Sequence, residues 1–198
     1  MGRRAREERR EEREDKVAKQ IKGKRKNNLK AAGILALIAI IVGYSVYVFI
    51  STDSNVAGAP PNAGRLGDEH EHVTLLVRIF GDKFDFGVPS YQIKSPWIHF
   101  EDSDGTTIHR HSSGVTLGYL FANLNIIIDS ECYIFPDGRQ FCTNEDYSLK
   151  YYINHQIVDD INNYVIKEGD RVLITYGSET PEQIEEQLRE LDSQIIRG

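Results

Sequence analysis

Cysteine is scarce in this chain: there are two, Cys132 and Cys142, and they stand ten positions apart rather than as Cys-x-x-Cys. The usual arrangement of a catalytic dithiol, a Cys-x-x-Cys at a helix start, is therefore missing. The sequence also lacks Gly-x-Ser-x-Gly, a Walker loop, Gly-x-Gly-x-x-Gly and His-Glu-x-x-His. These absences remove the serine-hydrolase elbow, the phosphate cradle, the dinucleotide fingerprint and the strongest zinc motif. No Asn-x-Ser/Thr sequon occurs, and Arg6 stands where a myristoylation motif needs Ser or Thr.

Charge is unevenly spread. Residues 1–30 carry 13 Lys+Arg against 6 Asp+Glu, a balance of +7, whereas residues 51–198 carry 11 against 24, a balance of −13. Between them, Ala31 to Ile50 has no charge at all. Twenty residues at about 1.5 Å rise match a hydrocarbon core of about 30 Å, so this run is expected as a single transmembrane helix. By the positive-inside rule the basic tail, 1–30, is expected in the cytoplasm and the acidic region outside, at the cell membrane. The lipid bilayer is then a partner, and Lys22, Lys24, Arg25, Lys26 and Lys30 suit anionic headgroups. Opposite charges three and four apart in residues 3–16 also favour a solvated helix there. An acidic outer domain argues against nucleic acid, whose phosphates it would repel.

Residues 51–67 are rich in Gly, Pro, Ser and Asn and read as a linker, with an α+β domain over 68–198. Val73–Phe80 and Lys83–Phe86 suggest a hairpin about Gly81-Asp82. Apolar spacing predicts a central helix over 115–124. Strands are expected at 132–135, 139–142, 149–154 and 171–176. Thr180-Pro181-Glu182-Gln183 is a helix-start signature, and Ile184, Leu188, Leu191 and Ile195 form an apolar stripe behind it.

Five of the six histidines fall in two short stretches, DEHEH (68–72) and IHFEDSDGTTIHRH (98–111). A three-residue loop Ser103-Asp104-Gly105 pairs His99 with His109 and keeps Ile98, Phe100 and Ile108 on one apolar face. The other face then holds His99, His109, His111 and Glu101, with cross-strand neighbours about 5 Å apart. Three imidazoles suit zinc or copper. His70 and His72, two apart in strand spacing, are further candidate ligands. Histidines on a polar hairpin face can equally be solvated. A calcium loop is excluded, because Phe100 and His111 occupy positions where it needs carboxylates.

In Cys132–Cys142, CYIFPDGRQFC, a type I turn with a Gly bulge pairs Ile134 with Gln140, Tyr133 with Phe141 and Cys132 with Cys142. The cysteines then form a directly opposed, non-hydrogen-bonded pair suited to a disulfide, which implies an oxidising compartment. Such a bridge is a structural staple or, alternatively, a redox couple.

The run LKYYINHQIVDDINNYVIKEGDRVLITYG (149–177) resembles the closing strands of β-grasp, ubiquitin-like domains. PPNAGRLGDEHEH, IHFEDSDGTTIHRH, GVTLGYLF, CYIFPDGRQFC and GDRVLITYG together resemble archaeal membrane-anchored proteins labelled protein-disulfide isomerase. The first resemblance implies a β-grasp-like fold. The second implies thiol-disulfide chemistry at Cys132 and Cys142. The residues themselves point instead to a binding or accessory domain, holding a metal ion or docking to a membrane complex.

Overall fold

The computed structural model describes residues 2–51 and 59–197. Residues 2–51 contain no proline, and they form one helix, α1 (Gly2–Ser51), in which the basic tail and the apolar run are continuous. Among the described residues no helix is long and apolar enough to cross a membrane. The fold class with a transmembrane helix at 31–50 is thereby corrected to a mixed α/β fold.

A second unit follows α1. In chain order it contains β1 (Glu71–Ile79), β2 (Asp82–Lys83), β3 (Ile98–His99), β4 (Thr107–Arg110) and α2 (Leu117–Asn123). It continues through β5 (Ile127–Ile128), β6 (Cys132–Ile134), β7 (Gln140–Cys142), β8 (Ser148–Ile153), β9 (Gln156–Val158), β10 (Arg171–Gly177) and α3 (Pro181–Ser193). The chain joins this unit before Asp68, the expected start. Ala59 and Ala63 pack against the core, and the N–H groups of Gly64 and Gly67 donate to the carbonyls of Ser113 and His111. Residues 52–58 of the expected linker lie outside the described residues.

The main sheet has the order β3-β4-β1-β10-β8-β9, with β2 added on β1. The central pair, β1 and β10, is parallel, and the other pairs are antiparallel. Both central strands are almost continuously apolar because both sheet faces are covered. On one face Val73, Leu75, Val77, Val172 and Ile174 meet Leu117, Leu120 and Phe121 of α2. On the other, Leu76 and Leu173 meet Ile184, Leu188 and Leu191 of α3. Ile195, expected in the same stripe, lies beyond the end of α3 and is exposed. A smaller sheet, β5-β6-β7, carries the cysteine hairpin.

α2 begins at Thr116, whose hydroxyl accepts from the Tyr119 N–H. Its second residue must be small: a Cβ on Gly118 would lie 2.6 Å from the Asn162 carbonyl oxygen, to which the Gly118 N–H donates. The hairpin expected at 73–86 is shorter than its sequence suggests, with only Asp82 and Lys83 paired as a strand.

Candidate metal centre

Register builds the centre. β1 pairs with β4 so that His72 faces His109, and β4 pairs with β3 so that His109 faces His99. The three imidazoles form one row across three strands, on the face opposite the core residues Val73, Ile108 and Ile98. Alternation brings His70 and His111 to the same face one step along, with ring centroids 4.5 Å apart. Neighbouring centroids are 4.6 Å apart for His70 and His72, 4.9 Å for His72 and His109, and 4.9 Å for His99 and His111. His70, His72 and His109 could hold a metal ion: each offers a nitrogen within 4.8 Å of the others. His70 is exposed and His109 buried, so this triad runs from the surface inward.

The turn that carries Glu101 differs from the expected loop. Asp102 and Ser103, not Gly105, take positive φ, 55° and 58°, and the Asp104 N–H donates to the Glu101 carbonyl, as in a type I′ turn. Gly105 is needed for another reason: a Cβ there would lie 2.3 Å from the Gly87 nitrogen. Asp104 closes the loop by accepting from Thr106 and Thr107.

Hydrogen bonds orient the imidazoles. His99 Nδ1 lies 2.7 Å from the Ser95 carbonyl, which only accepts, so Nδ1 carries the proton and Nε2 points to Glu101 Oε2 at 3.2 Å. His72 Nδ1 is 3.4 Å from Glu168 Oε2, which also accepts the His72 backbone N–H at 2.6 Å. His72 Nε2 is left buried without a partner. A carboxylate behind an imidazole is the usual support of a metal-ligating histidine. His109 Nδ1 lies 3.4 Å from Glu101 Oε1 but lacks hydrogen-bond geometry, so it too is unpaired.

The electrostatics favour neutral ligands. Burial, reinforced by the surrounding histidines, pushes His109 and His111 below the ordinary histidine value, against the pull of Glu101. Burial acts to raise the Glu101 carboxyl, but the bond to His99 and the nearby His109 charge together hold it below its usual range. Neutral imidazole and ionised carboxylate are the forms that bind metal.

All six expected site residues of the histidine stretches meet here: His70, His72, His99, Glu101, His109 and His111. Ser95 and Glu168 were not anticipated. Glu168 lies 96 residues from His72 and reaches it only because β10 runs beside β1. Cys132 and Cys142 are bonded, with Cα atoms 4.0 Å apart. Backbone bonds at Phe135–Arg139 and Glu131–Thr143 make theirs a non-hydrogen-bonded pair, as the turn predicts. The sixth histidine, His155, stands apart with Asp192 at 3.0 Å.

Fold and site together define a mixed α/β domain with a histidine-lined sheet face. No family model matches the chain, and no curated protein or solved structure matches it.

Proposed function

We propose that this is a metal-binding accessory domain, taking zinc or copper on the histidine face and working in an oxidising, extracytoplasmic compartment. The observation that carries the reading is the His70, His72 and His109 triad, in which His72 is braced by Glu168 and two buried nitrogens, His72 Nε2 and His109 Nδ1, have no hydrogen-bond partner. Nitrogens about 2.05 Å from a tetrahedral ion stand about 3.4 Å apart, so small side-chain rotations close the triad around it. Imidazole donors suit zinc and copper over calcium or magnesium. The disulfide supports the compartment. As the sole cysteines of the chain, Cys132 and Cys142 act in this reading as a staple for the small sheet.

The test is calorimetric titration of the full chain with zinc chloride and with copper(II). The wild type is expected to bind stoichiometrically, and the double variant His72→Ala/His109→Ala to bind less metal per chain while keeping its circular dichroism. Undiminished binding by that folded variant would remove the assignment.

A further inference from the structure

We infer that the histidine face holds two metal ions, the second on His99, Glu101 and His111. The inference rests on the metal-binding reading above and extends it from one site to a pair.

One ion cannot use all these donors. His72 and His99 stand at opposite ends of the row, on strands separated by β4. Five imidazoles and a carboxylate exceed the four positions of a tetrahedral ion. The donors therefore divide.

Two donors of the second group already have ligand spacing. His99 Nε2 and Glu101 Oε2 are 3.2 Å apart, close to the separation of about 3.3 Å between two donors on one tetrahedral ion. The Ser95 carbonyl keeps Nδ1 as a donor, so a cation bound at Nε2 would take the place of the hydrogen that bridges Nε2 and Glu101 Oε2. A cation between them satisfies both. The His111 ring lies 4.9 Å from His99 and supplies the third donor. Ser95 does for His99 what Glu168 does for His72, fixing the ring from behind. Glu101 joins the groups, because its other oxygen lies 3.4 Å from His109 Nδ1 of the first triad. Water would complete each ion.

Metal content after zinc loading and gel filtration of the full chain tests this directly. Two equivalents are expected for the wild type, and one each for Glu101→Gln and His72→Ala. Because His99 is buried, Glu101→Gln is the primary variant and His111→Ala the check, each with circular dichroism. Copper(II) loading should add a dipolar-coupled paramagnetic resonance signal that Glu101→Gln abolishes. One equivalent in the wild type overturns the second site and leaves the first standing. None overturns both. Two equivalents retained in both folded Glu101→Gln and His111→Ala would also refute the assignment.

Discussion

Gly118 and Gly105 show how single atoms hold the site in place. Neither is at a positive φ; each lets another backbone come close. Gly118→Ala would press a methyl on the Asn162 carbonyl, and Gly105→Ala on the 86–87 backbone. Overpacking of this kind costs about 1–3 kcal/mol. Urea unfolding should show a lowered midpoint for both, and only Gly105→Ala, which sits in the Glu101 loop, should also weaken metal uptake. At this scale the sequence was legible where chemistry is local. The Pro136-Asp137-Gly138 turn dictates its own register, with Gly138 at φ 86°, and hence the opposition of Cys132 and Cys142. It was not legible where a glycine answers to a distant neighbour: Gly105 reads as a turn residue until the 85–87 segment is seen against it.

Among the elements, α3 is specified most fully by its own residues. Thr180 accepts from the Gln183 N–H, and Gln183 Oε1 accepts from the Thr180 N–H at 2.8 Å, a reciprocal box on a helix that starts with Pro181. Thr180→Ala should cost about 1 kcal/mol. Leu188→Ala, which empties the space over Leu76 and Leu173, should cost about 2–5 kcal/mol. Thermal unfolding of the two variants ranks them. The amphipathic stripe announced that α3 packs, but not on what, since a stripe carries no address. Pairing between strands follows the same division. His99 against His109 was readable because β3 and β4 share one short loop. His72 against His109 was not, because β1 and β4 pair across the whole 80–106 excursion and no local pattern encodes that meeting. The apolar run at 31–50 was read from composition alone, and among the described residues no helix is long and apolar enough to cross a membrane.

For the molecule as a whole, stability should depend on alkali and on the disulfide. Burial, then the hydrogen bond to Asp170 and its charge, push the Tyr164 hydroxyl up to about 12. Its unfolded counterpart releases the proton near pH 10, so the stability it contributes is whole below that pH and lost as pH rises from about 10 through about 12. Tyr164→Phe should flatten this part of the urea-midpoint profile. Cys132→Ser/Cys142→Ser should lower stability by about 2–3 kcal/mol, the chain-entropy value for so short a loop, with metal uptake unchanged. The parallel pairing of β1 with β10 has a mechanical consequence. These are the first and last strands of the domain, joined over six consecutive positions from Thr74–Arg171 to Ile79–Tyr176. Tension applied between the two ends of the domain pulls parallel neighbours lengthwise in opposite directions, so their bonds share the load and fail together instead of unzipping in turn. The arrangement that carries His72 to Glu168 thus also sets the domain's resistance to tension along its strands.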